Sequence, residues 1–105
     1  MELDALLTRI AALAAEGDRE RYDTDDLYRW SLHRLWIAVG NEAGLLQQYL
    51  MERYPQRRER TWRGYYLMRN ALAHSRIPDI DEDTVWRMTI MRAASLRQRL
   101  AELPF

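Results

Sequence analysis

The sequence predicts an all-α fold, an antiparallel up-and-down bundle of four main helices with room for a short extra helix. Glycine and proline, which interrupt helices, number only 4 and 3 in 105 residues. Apolar residues recur at steps of three and four along nearly the whole chain, as they do on one face of an α-helix. The stretches between these runs are short and carry capping residues or proline. A chain of this length is expected to form a single domain, residues 1–105.

The first two helices are predicted from apolar stripes and from the residues at their ends. A first stripe ends near Gly17, and an acidic loop follows it. The second helix is expected to start after an N-cap at Thr24 and to end at about Tyr54, because Pro55 disfavours helical backbone in the residue before it. Its apolar positions recur at steps of four and three: Tyr28, Leu32, Leu35, Val39, Ala43, Leu46 and Leu50.

The third and fourth helices follow two polar connections. The third is predicted to be capped by Thr61 and to end before Pro78. Carboxylates crowd the start of the fourth helix, where they complement the positive end of a helix dipole, at Asp79, Asp81, Glu82 and Asp83. The apolar residues expected on its inner face are Trp86, Ile90, Ala93, Leu96, Leu100 and Leu103.

Composition excludes several kinds of protein. Without cysteine the chain can form no disulfide, no thiolate zinc site and no cysteine nucleophile, which fits a reducing compartment, so we expect the protein in the cytoplasm. No apolar run is long enough for a signal peptide or a membrane span. The 16 basic residues, all arginine, balance 16 acidic ones, which argues against a polycation that coats nucleic acid but leaves room for a local basic patch.

The run from Arg69 to His74, at the end of the third predicted helix, carries groups that RNA cleavage needs. One group must take the proton from the 2′-hydroxyl, another must protonate the leaving 5′-oxygen, and a cation must stabilise the charged phosphorane. Histidine can serve either proton-transfer role near neutral pH, and arginine binds phosphate oxygens through a planar fork. The other histidine, His33, is expected to be structural or exposed at the surface.

One copy of this run makes a poor catalytic site. The alternative interpretation is a polar cluster at a helix end that has only a structural role. Asn70 and His74 share a helix face, whereas Arg69 and His74 diverge by about 140° on an ideal helix. A twofold homodimer that joins the ends of both third helices would place two histidines in one cleft, one as base and one as acid. No cofactor or metal is expected, since the acidic residues after Pro78 match no calcium-loop spacing.

Several motifs, in the same order, resemble one known family, the HEPN proteins, and within it the small HepT-like toxins that pair with minimal nucleotidyltransferase (MNT) antitoxins. The resemblance spans nearly the whole chain. A segment from Tyr22 to Leu46 contains Gly40-Asn41-Glu42-Ala43, which is similar to the family's Gly-Glu-Ala with Asn41 interrupting it. The strongest part is Trp62-Arg63, then Arg69-Asn70-Ala71-Leu72-Ala73-His74, then Ile80-Asp81 and Val85-Trp86.

The resemblance implies a helical homodimer with a composite, metal-independent endoribonuclease site. Arg69 would stabilise phosphate, Asn70 would be the polar residue that follows it, and His74 would transfer protons. In the family a tyrosine stands two residues after the histidine, and the partner nucleotidyltransferase modifies it with AMP to silence the toxin. Arg76 stands there in this chain, which therefore keeps the nuclease motif and lacks the acceptor of the family's off-switch.

An arginine-rich stretch surrounds the motif, because residues 52–76 hold seven arginines against two acidic residues. Arg63 and Arg76 are expected to attract RNA phosphates. Tyr66, or its neighbour Tyr65, is expected to stack an unpaired base. The alternatives are that the arginines only solvate a connection and that the tyrosines belong to the core.

Two other functions are compatible with the sequence. The missing tyrosine favours a catalytically silent HEPN protein that binds a nucleotidyltransferase or docks another protein. A helical dimerisation module, in which Arg69 and Asn70 cap helix carbonyls and bridge subunits, would also explain the motif. RNA cleavage that depends on His74 distinguishes the nuclease from both.

Overall fold

The computed structural model describes residues 2–105, and this part of the chain is all-α. Its six α-helices are α1 (Glu2–Glu16), α2 (Arg19–Thr24), α3 (Asp26–Arg53), α4 (Thr61–His74), α5 (Glu82–Met91) and α6 (Ala93–Ala101). Short 3-10 turns follow α3 and α4, at Pro55–Arg57 and Ile77–Asp79. In this range there is no strand, and no helix is both long and apolar enough to cross a membrane. The all-α prediction is confirmed, and the antiparallel four-helix bundle stays a prediction.

The chain forms two compact units, each with its own buried side chains. The terminal unit holds the chain up to Leu35 together with Asp81–Phe105, and in it α1 packs on α5 and α6. The largest side chains buried there are Leu3, Leu7, Ile10, Tyr22 and Leu32. The central unit is Trp36–Ile80, and its buried apolar side chains are Trp36, Val39, Ala43, Leu46, Leu50, Trp62 and Leu72. The apolar positions predicted for the long helix are therefore buried, except that Leu35 is half-buried.

A short helix, α2, fills part of the predicted acidic loop. Its N-cap is Asp18, whose carboxylate accepts a backbone N–H of the first turn at 2.8 Å. The long helix α3 is capped by Asp25, whose carboxylate accepts a first-turn N–H at 3.2 Å. The prediction of Thr24 as this cap is wrong, because Thr24 is the last residue of α2 and its hydroxyl donates to a carbonyl within α2.

Helix α4 starts at Thr61, but the threonine side chain is not its cap. The Glu59 carboxylate accepts the Thr61 N–H at 3.1 Å. The Gln47 side chain, which comes from α3, accepts the Arg63 N–H at 3.1 Å and donates to the Glu59 carbonyl oxygen at 2.5 Å. The predicted threonine cap is therefore replaced by a glutamate and by a glutamine from another helix, and the start of α4 is tied to α3.

The predicted fourth helix consists of two helices, α5 and α6, which meet at Arg92. The Ser95 hydroxyl donates to the Arg92 carbonyl at 3.0 Å, and bonds of this kind bend helices by competing for the carbonyl. On α5 the buried residues are Val85 and Thr89, one turn apart. Ile90 was predicted on the inner face but is 54% exposed, because it is rotated by about 100° from Thr89.

The carboxylates at the start of α5 have two different roles. Asp81 is the N-cap, and its carboxylate accepts the Thr84 hydroxyl at 2.8 Å and the Thr84 N–H at 3.1 Å. These bonds hold the pKa of the Asp81 carboxyl below its usual range. Glu82, the next residue, instead turns inward and bonds Tyr22 and His33.

Candidate functional site

His74 is the last residue of α4, and its side chain is exposed. The Ser75 N–H closes the helix by donating to the Ala71 carbonyl at 3.0 Å, and the backbone is extended at Ser75 and Arg76. The imidazole makes no hydrogen bond or ion pair with any other residue of the range 2–105. Both ring nitrogens are therefore available to a ligand.

Arg69 and Asn70 are joined to each other. The Arg69 guanidinium donates from Nη1 to Asn70 Oδ1 at 2.9 Å, and both residues are half-buried. In the described part of the chain, the Arg69 Nε atom is buried without a hydrogen-bond partner, a situation that costs about 1 to 3 kcal/mol. The NH2 group of Asn70 also makes no hydrogen bond within residues 2–105, since only the Asn70 oxygen takes part in the bond to Arg69. The Asn70 NH2 group can therefore donate a hydrogen bond to an anion, with the positive charge of Arg69 beside it.

Gly40 on α3 allows α4 to come close at Arg69. A Cβ atom at position 40 would overlap Arg69 Cβ and lie 2.7 Å from the Tyr65 carbonyl oxygen. One turn later, a Cβ atom at Gly44 would lie 2.5 Å from Cδ1 of the Tyr66 ring. Two glycines one turn apart thus let the two helices approach closely, and the approach places Arg69 against α3, away from the face of His74.

Four residues form a stripe along the outer face of α4, and their directions on an ideal helix differ by no more than about 60°. They are Arg63, Leu67, Asn70 and His74. Arg63 and His74 are exposed, Leu67 is 51% exposed, and Asn70 is half-buried. The face predicted for Asn70 and His74 therefore exists, and it also carries an arginine and an apolar side chain.

The residues predicted to contact RNA are all exposed. Arg63 and Arg76 make no ion pair within residues 2–105, and Tyr66 is 42% exposed. Tyr65 is closer to the alternative of a core tyrosine, because it is half-buried and its ring stacks on the buried Trp36, with 6.0 Å between the ring centroids. The predicted positions thus agree with a surface role for Tyr66 and with unpaired charge at both arginines.

A cavity of about 520 Å³ between the end of α3 and the start of α4 was not predicted from the sequence. Arg58, Arg60 and Arg63 line it, together with Tyr54 and Pro55. The arginine run was visible in the sequence. The left-handed backbone at Arg58, with φ of 51°, could not be predicted because that conformation favours glycine.

His33 lies in the terminal unit and is structural, which was one of the two expectations for it. It is 8% exposed, and its Nε2 atom lies 2.7 Å from Glu82 Oε1 and 3.1 Å from the Tyr22 hydroxyl oxygen. The Tyr22 hydroxyl donates to the same Glu82 oxygen at 2.8 Å. Burial, reinforced by the Glu82 carboxylate, raises the pKa of Tyr22 above its usual range, so the hydroxyl stays protonated at neutral pH. The sequence carried no sign of this network, since Tyr22 and Glu82 are 60 residues apart.

Within residues 2–105, no three side chains of His, Asp or Glu form a group that could hold a metal ion. In comparisons with protein-family models, with curated proteins and with solved structures, none matches this chain.

Proposed function

We propose that this protein is a metal-independent endoribonuclease toxin of the HEPN/MNT type, a cytoplasmic homodimer that cleaves single-stranded RNA and has a nucleotidyltransferase as its antitoxin. The observation that carries the proposal is the exposed His74, which has no partner in the described chain and follows Asn70 by one turn on the outer face of α4. A histidine without a structural partner at a helix end is available for proton transfer.

The proposed reaction uses the two His74 side chains of a dimer. One takes the proton from a 2′-hydroxyl, and the 2′-oxygen attacks the adjacent phosphorus. The bond from phosphorus to the 5′-oxygen breaks, and the second His74 protonates that oxygen. The products are a 2′,3′-cyclic phosphate and a 5′-hydroxyl. Asn70 donates to a phosphate oxygen, and Arg69, bonded to Asn70, supplies positive charge beside it.

Apolar surface beside the motif supports the homodimer. Leu67 and Tyr66 on α4 are 51% and 42% exposed, and Leu45 on α3 is 64% exposed. Leu67 points within about 20° of His74 on the helix, so a second copy that covers Leu67 lies on the side of α4 that carries His74. Exposed apolar patches with a polar rim are typical of interaction sites.

The antitoxin is proposed to act by occlusion. Arg76, at the position of the family's modified tyrosine, is exposed and has no phenolic oxygen to accept AMP. A partner that covers the His74 surface would exclude RNA without any covalent change. We expect the mass of the protein to stay unchanged after incubation with its nucleotidyltransferase and ATP, and an increase by one AMP would contradict occlusion as the only mode of inhibition.

RNA cleavage by His74→Ala tests the proposed nuclease. We expect the wild-type protein to cleave single-stranded RNA in EDTA and to leave 2′,3′-cyclic phosphate ends. The variant should lose at least about 100-fold in rate, since acid–base catalysis contributes about 10² to 10⁴. The exposed His74 makes no bond in the described chain, so the variant should be as stable as wild type to within about 0.5 kcal/mol.

Ser75→Ala is the matched control, because Ser75 is the next exposed residue and contributes only its backbone to the end of α4. It should cleave at the wild-type rate. Cleavage that disappears in EDTA, or that survives His74→Ala unchanged, would show that this mechanism is wrong.

A catalytically silent HEPN protein that binds a nucleotidyltransferase is the second candidate. One observation favours it: Arg69 packs against Gly40 and bonds Asn70, so a structural role accounts for two of the three motif residues. Expression in a bacterial host distinguishes the two functions. The nuclease slows growth and His74→Ala restores it, whereas the silent protein leaves growth unaffected in both forms.

A further inference from the structure

We propose that Arg58, Arg60 and Arg63, at the junction of α3 and α4, form an exosite for the backbone of single-stranded RNA, several nucleotides away from the scissile phosphate. The identity of the ligand rests on the proposed nuclease, whereas the site itself rests on the cavity and its charges. This exosite lies at the start of α4, and His74 lies at the end of the same helix.

The cavity has the size and lining that a nucleotide needs. Its volume of about 520 Å³ lies within the range of roughly 300 to 1,000 Å³ that is usual for small-molecule sites. Leu50, which is 1% exposed, and the half-buried Tyr54 give it an apolar floor, and the three exposed arginines form its rim. A base can lie on the apolar floor while the phosphates on either side of it reach the guanidinium groups.

The rim arginines have no acidic partner. Their side chains make no ion pair or hydrogen bond with any residue of the described chain. The one carboxylate among the lining residues, Glu59, is occupied, because it accepts the Thr61 N–H and lies 3.9 Å from Arg57. Unpaired cations at the positive end of the α4 dipole repel one another and the dipole, and a bound phosphate removes both repulsions.

Arg58 keeps a large side chain where glycine would fit the backbone better. Its φ of 51° and ψ of 37° are left-handed, and it is the only non-glycine residue with positive φ in the range 2–105. This conformation brings Cβ close to the following carbonyl oxygen and costs free energy. Its side chain lines the cavity, and backbone strain at a residue that faces a cavity is typical of functional sites.

Arg63 connects the exosite to the catalytic motif. It lines the cavity and also belongs to the stripe on α4 that ends at His74. With a rise of about 1.5 Å per residue, these two positions are about 16 Å apart along the helix. At about 3.4 Å per nucleotide, the spacing along one strand of B-form DNA, about five nucleotides span that distance. A dinucleotide can therefore reach the motif but not the exosite as well.

Binding of a fluorescent single-stranded RNA of about 12 nucleotides to the full-length protein tests the exosite. Both chains compared carry His74→Ala so that the RNA is not cut. Replacing the three rim arginines by glutamine should weaken binding at least about tenfold at low salt and reduce the slope of log affinity against log salt by about 2, since each phosphate contact contributes about 0.7. Far-UV circular dichroism checks that the exposed substitutions leave the helices intact.

A matched triple variant controls for net charge. It replaces Arg9, Arg34 and Arg92, three exposed arginines of the terminal unit, by glutamine. The charge change is the same, so this variant should bind RNA with the affinity and salt slope of its parent. If the two triple variants behave alike, the cavity has no special role and the exosite is overturned.

Arg58→Gly separates binding from stability. Glycine relieves the left-handed backbone, so the melting temperature should rise. Loss of one guanidinium should at the same time reduce the salt slope by about 0.7. An unchanged salt slope would remove Arg58 from the site.

Cleavage assays with His74 present distinguish failure of the exosite from failure of the nuclease. Replacing only Arg58 and Arg60 by glutamine, which keeps Arg63 on the His74 stripe, should raise KM for the long RNA about fivefold and leave cleavage of a dinucleotide unchanged. Unchanged binding of the long RNA would overturn the exosite even if RNA is cut. If no RNA is cut but binding depends on the three arginines, the nuclease is wrong and the exosite stands.

Discussion

At the residue scale, glycines set how closely α4 can approach α3. A Cβ atom at Gly40 would meet Arg69 Cβ and a backbone oxygen of α4, and neither can move unless α4 moves. A Cβ atom at Gly44 would meet only the ring of Tyr66, a side chain at the surface. At Gly64 no atom lies within 4 Å of the Cβ position. Alanine at these three positions therefore has graded consequences.

We expect Gly40→Ala to lower the free energy of unfolding by about 1 to 3 kcal/mol, because it overpacks the contact between two helices. Gly64→Ala should raise it by up to about 1 kcal/mol, since alanine is the better helix former and meets nothing. Urea denaturation measures both changes in the free energy of unfolding.

Gly40→Ala should also slow RNA cleavage because it displaces Arg69. Equal stability of Gly40→Ala and wild type would show that α4 is not held against this position.

The Tyr22 hydroxyl gives a second test at the same scale. Tyr22→Phe removes its contacts with His33 and Glu82, which remain bonded to each other at 2.7 Å. The expected loss is about 1.5 to 3 kcal/mol, the usual contribution of a hydrogen bond to a charged group. Tyr66→Phe, at an exposed ring, is the control and should change stability by less than about 0.5 kcal/mol.

The difference in the free energy of unfolding between wild type and Tyr22→Phe should depend on pH, and the pKa of Tyr22 gives the direction. The pKa of Tyr22 is raised in the folded protein by burial and by Glu82. A raised pKa contributes stability that is complete below the unfolded pKa of about 10 and is lost as pH rises above it. The difference between wild type and Tyr22→Phe should therefore be flat near neutral pH and shrink above about pH 10. A difference that grows above pH 10 would contradict the assignment.

At the element scale, the start of α4 depends on residues outside the helix. Gln47 on α3 accepts the Arg63 N–H and donates to the Glu59 carbonyl. Gln47→Ala leaves both backbone groups without these partners and should cost about 1 to 3 kcal/mol in urea denaturation. Gln48→Ala, at the neighbouring exposed position, should cost less than about 0.5 kcal/mol. If the two variants are equally stable, Gln47 is not the cap of α4.

The helices were predictable because apolar periodicity is a local property of the sequence. Their capping residues were less predictable. Gly17 and Pro55 mark the ends of α1 and α3 to within two residues. Thr24 and Asp25 can both cap a helix, and the choice between them depends on where α2 ends. The cap supplied by Gln47 comes from 16 residues before the N–H that it accepts, and no local pattern reveals it.

The candidate site was predictable along one helix and not between helices. The shared face of Asn70 and His74, and the divergence of Arg69 from it, follow from a rotation of about 100° per residue. The packing of Arg69 on Gly40 depends on how α3 and α4 meet. The same holds for the cavity at Arg58: the sequence showed an arginine-rich stretch, but not that three of its arginines line one cavity.

At the scale of the whole molecule, the two compact units carry opposite net charges. The terminal unit has nine arginines and twelve carboxylates, a net charge of −3, and the central unit has seven and four, a net charge of +3. Every residue proposed to contact RNA belongs to the central unit. A neutral chain can therefore bind a polyanion through one unit, and rising salt should weaken that binding.

Leu67→Glu tests the dimer on which the proposed reaction depends. Leu67 is 51% exposed, so a charge there should leave the subunit folded but oppose burial in an apolar interface. Sedimentation should show a monomer, and RNA cleavage should be lost with it. Leu27→Glu is the control, because Leu27 is 77% exposed and belongs to the terminal unit. A monomeric Leu67→Glu variant that still cuts RNA would show that one subunit suffices.

The central unit is continuous in sequence, whereas the terminal unit is assembled from the two segments that flank it. A growing chain therefore completes residues 36–80 before Glu82, the partner of Tyr22 and His33, has been synthesised. Closing a flexible loop of that length costs roughly 3 kcal/mol in chain entropy. Prior folding of the central unit shortens this loop, so we infer that the terminal unit folds second. A chain that stops before residue 81 would therefore leave α1 exposed to proteases.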